Sequence, residues 1–384
     1  MAKVSDELFG YIVEMRRRIH RRPEIGFDLP ETAALVRTEL DKLGVKHNDR
    51  FAPCSAVAYF GENGGKKTLA VRADMDALPV EEKVDIPYKS EISGRMHACG
   101  HDTHTAILLG LARYLKEHES ELSCNVRLIF QPSEEWKRSG ARLMTENGVM
   151  EGVDAIICTH CEPTLSPTEI GYAYGVYMAA CMPFVMRFYG KTSHAAAAPE
   201  KGIDAIKMAC EAYTLLADAV KETFGEKRYV WNVGVFNGGT APNVIADYCE
   251  LKATFRFFDE DTAAAFKARA IDLLNGIAEK FGGRVEVEAE INSHATYNDP
   301  ALTERFVEIM KKDPDIKLTE MPVRMSSEDF NWYLQKAPGM IFRYGIKNEA
   351  TGCGSAAHSS TFKVDESGMR TALSAFIDFI SAFK

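Results

Sequence analysis

Residues 67–78, KTLAVRADMDAL, form an apolar run that ends in two acids, and this run decides the fold class. Two further apolar runs end in polar residues in the same way: NVRLIFQPSEE (125–135) and VDAIICTH (153–160). A helical pattern, TAILLGLARYLKEH at 105–118, lies between the first two. Strands that alternate with helices predict an α/β fold with a mostly parallel sheet and helices on both faces. The carboxyl ends of such strands meet at one crevice, so the three polar strand ends are expected to face a single site.

A second pattern begins after Met182. The predicted elements there follow the order strand–helix–strand–strand–helix–strand, in PFVMRFYGK, residues 202–224, YVWNVGVFNGG, DYCELKATFRFFD, residues 261–281 and RVEVEAEIN. That order is the ferredoxin-like arrangement, a self-contained α+β unit. From Asp299 onward the earlier pattern resumes. The sequence therefore predicts a small domain at residues 183–295, inserted into a larger α/β domain of residues 1–182 and 296–384.

The composition restricts the class of protein. Hydrophobic residues make up 46% of 384 residues, and Lys plus Arg number 46 against 55 acids, giving a net charge of −9. Nucleic-acid binding without sequence preference needs a basic face, so we expect no nucleic-acid partner. We also expect neither a membrane span nor a secretory signal, because no stretch of about 18 uncharged apolar residues occurs and acids precede any apolar run at the start. The odd count of nine cysteines favours reduced thiols and a cytoplasmic location.

The densest cluster of chemically active residues is MHACGHDTHTA, which contains Cys99 and His101. These two are two positions apart, so they cannot share one face of a helix and belong on the glycine-containing turn before it. A thiolate and an imidazole in such a turn can reach one ion, and the mixed S/N set suits Zn or a neighbouring transition metal. His97 and His104 are weaker candidates, one of which could hold the orientation of a ligand. The alternative interpretation is a helix cap at Asp102 with surface histidines.

Glu134 and Glu135 form a consecutive acid pair at the end of the second apolar run. Consecutive side chains on an extended backbone point to opposite sides, so one carboxylate could bind a metal while the other faces a water beside it. Metal-assisted hydrolysis uses this division, because the metal lowers the pKa of a water and a nearby carboxylate takes its proton. An ordinary acidic strand-to-helix turn is the alternative.

The sequence CTHC, from Cys158 to Cys161, contains a CxxC motif. A zinc ribbon needs a second CxxC, and a thioredoxin-like pair normally opens a helix, whereas Glu162-Pro163 follow here. We therefore expect neither a zinc ribbon nor a redox pair. His160 is the residue of interest, and both cysteines are expected to be incidental.

Ten segments of the chain together resemble a known family. They are RRRIHRRPEIGFDLPET, VRADMDALPV, MHACGHDTHTA, FQPSEE, GKTSHAAAAPEKGIDAI, GGTAPNVIADYCEL, FRFFDE, SSEDF, YLQKAPGMIFRYG and AHSSTFKVDE, in this order. The resemblance is to the aminoacylase and carboxypeptidase family of dinuclear metallopeptidases and covers nearly the whole chain. Within that family the segments are most similar to the branch of hippurate hydrolases, N-acyl-amino-acid amidohydrolases and plant indole-acetyl-amino-acid hydrolases. It implies a catalytic α/β domain interrupted by a ferredoxin-like lid domain, in agreement with the element order.

The resemblance also implies a pair of divalent metal ions with Glu134 as general base. The implied ligands are a thiolate, a carboxylate and imidazoles: Cys99, His101, Glu135, His160 and His358. The metal stays open among Mn, Zn and Co, because Cys99 favours softer ions whereas carboxylate-rich dinuclear sites also accept Mn. His358 lies in the small-residue loop GCGSAAHSS, where no helical face explains it. Relatives often have Pro two positions after this His, and here Ser360 leaves the loop geometry open.

Further site residues are implied by the same resemblance. Asp76 matches the acid that lies beside a ligand in relatives with an HxD motif, and Asp74 occupies the His position of that motif. His194 matches a lid histidine that in relatives reaches across a dimer interface to polarise the scissile carbonyl. Asn243 and Arg256 match lid positions used around the carbonyl or carboxylate of the substrate. On the residues alone, His194 could be an ordinary lid histidine and Arg256 a charge on the sheet surface.

The leading hypothesis is a metal-dependent amidohydrolase that cleaves a small N-acyl-amino acid substrate. The resemblance implies a homodimer formed through the lid domain, and catalysis that needs lid closure. One alternative is a dipeptidase or carboxypeptidase that acts on short peptides. Another is a non-catalytic metal-dependent binding protein. The presence of Glu134 together with all five implied ligands argues against that last alternative, because a binding protein does not need a base.

Overall fold

The computed structural model describes residues 4–61 and 65–384. The chain forms two compact units: the first comprises the residues up to Tyr177, Tyr297–Pro322 and Asp329–Lys384, and the second comprises Met178–Thr296 and Val323–Glu328. The predicted larger domain includes all of residues 296–384. The short segment Val323–Glu328 instead groups with the second unit.

The first unit is built on one large sheet. Its strands, numbered along the whole chain, are β1 His47–Asn48, β2 Ala56–Phe60, β3 Thr68–Asp74, β4 Asn125–Gln131, β5 Ala155–Glu162, β6 Glu169–Tyr172, β14 Lys317–Glu320 and β15 Gly339–Gly345. Their spatial order is β1-β2-β4-β3-β5-β15-β6-β14. The central strands β4, β3, β5 and β15 run parallel, and β6 is parallel to β14, while β1–β2, β2–β4 and β15–β6 are antiparallel. The predicted α/β class with a mostly parallel sheet is confirmed.

Helices of the first unit pack on this sheet. They are α1 Asp6–Arg21, α2 Pro30–Lys42, α3 His101–Glu117, α4 Gly140–Glu146, α7 Pro300–Met310, α8 Asn331–Leu334 and α9 Ser367–Ala382, with short 3₁₀ turns at Glu119–Glu121 and Glu349–Thr351. Helix α3 contacts α1 and α9 and also β3, so its residues 101–112 are all buried, including the polar side chains of its first turn. Two short strands, β7 Gly175–Met178 and β13 Thr296–Asn298, pair with each other. Within the described ranges, no helix combines the length and apolar character that crossing a membrane requires.

The second unit is an antiparallel sheet with two long helices. Its elements are β8 Ala180–Cys181, β9 Phe184–Tyr189, a 3₁₀ turn Pro199–Lys201, α5 Ala205–Phe224, β10 Tyr229–Gly238, β11 Tyr248–Phe257, α6 Glu260–Phe281 and β12 Arg284–Ala289. The order β10-β11-β9-β12, with β8 beside β11, confirms the ferredoxin-like arrangement. Side chains of β11 alternate between buried and less buried, as one covered sheet face requires. The carbonyls of Arg324 and Ser326 both accept the N–H of Ala179, which ties Val323–Glu328 to this unit.

Candidate metal centre

The polar strand ends of the first unit converge on the imidazole of His101, the first residue of α3. Asp76 follows β3, Glu135 follows β4, and His160 lies near the end of β5. His101 Nδ1 lies 3.5 Å from Asp76 Oδ1, and His101 Nε2 lies 3.8 Å from Glu135 Oε1. Cys99 Sγ lies 3.4 Å from His160 Nε2. The strand ends therefore meet, as their position at one edge of a parallel sheet predicts.

The turn before α3 directs Cys99 and His101 into this cluster. Gly100 caps the helix in the left-handed region with φ of 86°. A Cβ at Gly100 would come within 2.5 Å of Cys161 Sγ, so the position requires glycine for both reasons. The Cys161 thiol donates to the Cys99 carbonyl at 3.2 Å, which helps to hold the turn. Cys161 therefore has a structural role in this turn, although it is not among the predicted ligands.

The five candidate ligands come together in two overlapping groups. The donor atoms of Cys99, His101 and His160 lie within 4.8 Å of one another, and so do those of Cys99, Glu135 and His358. In the second group His358 Nε2 lies 3.2 Å from Glu135 Oε1. Because Cys99 belongs to both groups, its sulfur lies where two cations could share it.

His358 occupies a constrained loop. Its φ is 65°, in the left-handed region that costs a non-glycine residue of order 1–3 kcal/mol and that recurs at functional sites. The His358 N–H donates to the Ala98 carbonyl at 2.8 Å, and the Ser360 carbonyl accepts the Lys83 N–H at 2.8 Å. Backbone hydrogen bonds thus anchor the loop at His358 and again at Ser360, where relatives often have proline.

Hydrogen bonds determine which histidine nitrogens can bind a cation. His160 Nδ1 donates to the Cys161 carbonyl at 2.8 Å, which leaves the Nε2 lone pair beside Cys99. His104 Nδ1 lies 2.6 Å from Asp74 Oδ1, and His104 Nε2 accepts the Cys161 N–H at 3.0 Å. Both nitrogens of His104 are therefore occupied, and this residue supports the site without being available as a ligand.

The negative charge of the buried Asp74 carboxylate is balanced by neighbouring side chains. Its Oδ2 lies 2.7 Å from Arg72 Nη1, and its Oδ1 is the partner of His104. Burial alone would raise the pKa of Asp74, but the neighbouring His101, His104 and Arg72 hold it well below its usual range. The Asp74 carboxylate is thus committed to protein partners.

Asp76 fixes the acid pair. Its Oδ1 accepts the N–H of Glu134 at 2.9 Å, and its Oδ2 accepts the N–H of Glu135 at 3.1 Å. Ser133, just before the pair, has φ of 57°, so the backbone there is not extended. A carboxylate oxygen of each glutamate and a His101 nitrogen all lie within 4.8 Å of one another. The expectation that the two side chains point to opposite sides is wrong, because the strand has already ended.

Replacing Asp76 with Ala is expected to weaken metal binding by about 10–100-fold, the usual effect of losing a group that orients ligands. The variant loses the carboxylate oxygens that accept the Glu134 and Glu135 N–H groups, and with them the negative charge beside His101. Competition with a fluorescent chelator measures the affinity. Asp85→Ala, at an exposed loop acid, is the control that should bind metal as the parent protein does. Unchanged affinity in Asp76→Ala would contradict this role.

The cluster has the chemistry of a divalent-cation site. Both ring nitrogens of His101 are buried without a hydrogen-bond partner among the described residues. Burial opposes protonation of His101, but Asp74, Asp76 and Glu135 outweigh it and raise the pKa to about 10. Burial, reinforced by Glu135, raises the pKa of the Cys99 thiol. Bound cations would balance these acids in place of the protons, and the S, N and O donors suit Zn, Mn or Co.

Two predicted site residues lie on adjacent loops of the second unit, His194 between β9 and α5 and Asn243 between β10 and β11. His194 Nδ1 accepts the N–H groups of Ala196 and Ala197 at 3.2 and 3.1 Å, so the ring proton is on Nε2. The two loops are joined by a hydrogen bond in which the Asn243 carbonyl accepts the Ala195 N–H at 3.0 Å. His194 and Asn243 are therefore neighbours, and the exposed His194 presents a hydrogen-bond donor of fixed tautomer.

Arg256 lies on β11, opposite Cys181 of β8. Its half-buried guanidinium donates to the hydroxyl of Ser327, in the segment that groups with the second unit. Arg256 is thus not a freely solvated charge on the sheet surface. Its role toward a substrate carboxylate stays a prediction.

Arg72 and Asp329, which were not among the predicted site residues, are buried together in the first unit. Arg72 Nη2 pairs with Asp329 Oδ1 at 2.8 Å. A signal for Arg72 was present, because it interrupts an otherwise apolar buried strand and a buried guanidinium needs a carboxylate partner. Which carboxylate could not be inferred, since the partner lies 257 positions away.

An α/β unit whose strand ends hold thiol, imidazole and carboxylate donors beside a further acid has the structure of a metal-dependent hydrolase. Residues 70–382 match the model of Peptidase family M20/M25/M40, and the chain belongs to this family. The protein is thus a hydrolase that acts on amides or peptides.

Named relatives agree with this classification. The chain is 38% identical to IAA-amino acid hydrolase ILR1-like 4 of Arabidopsis thaliana, over 95% of this chain and 84% of that protein. It is 36% identical to thermostable carboxypeptidase 2 of Saccharolobus solfataricus, over 94% of this chain and 92% of that protein. The solved YXEP protein of Bacillus subtilis, described as a dinuclear metal-binding peptidase of the M20 family, aligns with a TM-score of 0.83 at 28% identity over 98% of each chain. The resemblance to dinuclear metallopeptidases is confirmed, and it supports two divalent cations at this cluster.

Proposed function

We propose that the protein hydrolyses the amide bond of small N-acyl-amino acids, releasing a carboxylate and a free amino acid. The observation that carries this proposal is the acid pair, which Asp76 holds beside His101 so that Glu135 can ligate while Glu134 serves proton transfer. The substrate class is supported by the 38% identity to a protein named as an IAA-amino acid hydrolase.

The proposed ligands are the five donors of the two overlapping groups: Cys99, His101, Glu135, His160 and His358. Divalent cations held by them supply Lewis-acid activation of a water and of the substrate carbonyl. Glu134 accepts a proton from the attacking water as the new C–O bond forms. The same carboxyl group then donates that proton to the leaving nitrogen as the C–N bond breaks, so one water is consumed and Glu134 is restored.

His194 is the proposed donor to the oxyanion that forms during the attack. Because its Nδ1 already accepts two backbone N–H groups, its Nε2–H is fixed as a donor before substrate binds. A donor oriented in advance requires no reorganisation during the reaction. Asn243 and Arg256 are proposed to bind the carbonyl and carboxylate of the substrate, the guanidinium offering two parallel hydrogen bonds.

We further propose that the protein forms a homodimer through the second unit. In the described chain β10 is an edge strand that pairs only with β11, and its Val230 and Phe236 side chains are 38% and 41% exposed. Proteins normally cover a long edge strand that carries apolar side chains. Light scattering should give a mass about twice 42.7 kDa. A monomer at assay concentrations would contradict the dimer.

The cysteines support a reducing, cytoplasmic setting for this activity. All nine are free thiols, including Cys99. A thiolate ligand is lost on oxidation, so a site that uses Cys99 depends on a reduced thiol.

A substrate panel tests the proposed function. The protein is chelated, reloaded separately with Mn, Zn or Co, and assayed on acetyl-amino acids, benzoyl-glycine and unblocked dipeptides. We expect no activity after chelation and, after reloading, kcat/KM values for N-acyl-amino acids at least about tenfold above those for dipeptides. The reverse order would favour the peptidase alternative, which the identity to a carboxypeptidase supports. Absence of turnover in every loaded form would favour a non-catalytic binding protein.

A further inference from the structure

Asp329, in the motif SSEDF at residues 326–330, has no part in the reaction described above. We infer that Asp329 is a positioning residue for Glu134, an inference that rests on the proposed role of Glu134 as general base. The backbone N–H of Asp329 lies 3.4 Å from Glu134 Oε1. The side chain of Asp329 determines where that N–H is directed.

Four donors from separate parts of the first unit hold the Asp329 carboxylate. Arg72 Nη2 on β3 and Gln131 Nε2 at the end of β4 donate to its Oδ1 at 2.8 and 2.9 Å. Its Oδ2 accepts the Ser139 hydroxyl at 2.7 Å and the Ala141 N–H, in α4, at 3.2 Å. The side chain is 5% exposed, and moving it would leave a buried guanidinium without this partner. The carboxylate therefore fixes its own backbone against β3, β4 and α4.

The Asp329 carboxylate and its four donors, here called the clamp, lie where the chain re-enters the first unit. Asp329 is the first residue of that unit after Val323–Glu328, which groups with the second unit. The Asp329 side chain therefore anchors the start of this return to β3, β4 and α4, and the Asp329 N–H is held with it. That N–H in turn approaches one carboxylate oxygen of Glu134.

Glu134 is thereby held at two points. Asp76 accepts its backbone N–H at 2.9 Å, which fixes the main chain, and the Asp329 N–H restrains the side chain. With Oε1 restrained, the carboxylate is held in one orientation for proton transfer. A restraint of this kind raises the fraction of time in which the base is oriented for the reaction, and it contributes to kcat more than to KM.

A double-mutant cycle separates this role from a merely structural one. The variants are Asp329→Asn, Glu134→Gln and the double variant, loaded with Mn and assayed for kcat, KM and bound metal. We expect Asp329→Asn to lower kcat by about tenfold or more, with KM within about twofold and metal content unchanged. In the Glu134→Gln background, Asp329→Asn should change the residual kcat by less than about twofold. Equal losses in both backgrounds would overturn the inference.

Two further variants keep the test decisive. Ser139→Ala removes one donor to the clamp and serves if Asp329→Asn does not fold; its smaller loss of kcat should also vanish in the Glu134→Gln background. Asn298→Ala removes buried hydrogen bonds to Ile341 and is the structural control, expected to lower the melting temperature without changing kcat. If Glu134→Gln alone retains full activity, the proposed function fails. If Glu134→Gln is impaired but Asp329→Asn lowers kcat by the same factor with and without it, only the positioning role fails.

Discussion

Replacing Glu134 with Gln will lower kcat on an N-acyl-amino acid by about 10³–10⁴-fold, within the range that a positioned acid–base group supplies. The amide preserves the size of the side chain and can still accept the Asp329 N–H, yet it cannot take a proton from water. Because Glu134 is not among the proposed ligands, bound metal and KM should stay near those of the parent protein. Steady-state kinetics and metal analysis on the same preparation measure both.

The control for this substitution is Glu146→Gln, which changes an exposed acid of α4 that pairs with Arg142. It should leave kcat within about twofold, since exposed pairs contribute little. Full activity in Glu134→Gln would show that another group accepts the proton. Loss of metal in that variant would assign Glu134 to the ligands instead.

Replacing Cys99 with Ala will reduce bound metal well below the parent value and lower activity to the level of the chelated protein. Cys99 is the one donor common to both groups of candidate ligands, so its loss affects both cation positions. Mutation of a residue that only orients a ligand typically lowers metal affinity by about 10–100-fold. Removal of a ligand shared by both cations should lower it further. Metal analysis after dialysis, together with the hydrolysis assay, measures the effect.

Cys124→Ala is the matched control, because Cys124 is also a buried free thiol of the first unit but its Sγ faces the Ile380 carbonyl. It should retain both metal and activity. A Cys99→Ala protein that binds as much metal as the parent, with the same kcat, would remove the thiol from the site.

The fold was largely predictable because its signals are local. The alternation of apolar runs and helical patterns predicts the α/β unit, and the strand–helix order after Met182 predicts the ferredoxin-like unit, whose helix α6 is found at Glu260–Phe281. The grouping of Val323–Glu328 with the second unit was not predictable. It depends on backbone hydrogen bonds to Ala179, which lies far away in the sequence.

The same distinction between local signals and long-range contacts applies to the candidate site. Residue type and local position select Glu135, which follows a strand, and Cys99 and His101, which lie at the start of a helix, since these features are properties of a short segment. The partners behind them are decided by tertiary contacts that have no local pattern. Examples are the Cys161 N–H that occupies His104 and the Arg72 guanidinium that balances Asp74.

The convergence of five side chains on a pair of cations is tested most directly by anomalous diffraction from crystals of the Mn-loaded protein. We predict two anomalous peaks per chain, both bounded by the candidate ligands and both in contact with Cys99, while Glu134 contacts neither. A single peak held by Asp74 and His104, or two peaks that exclude Cys99, would contradict the assignment.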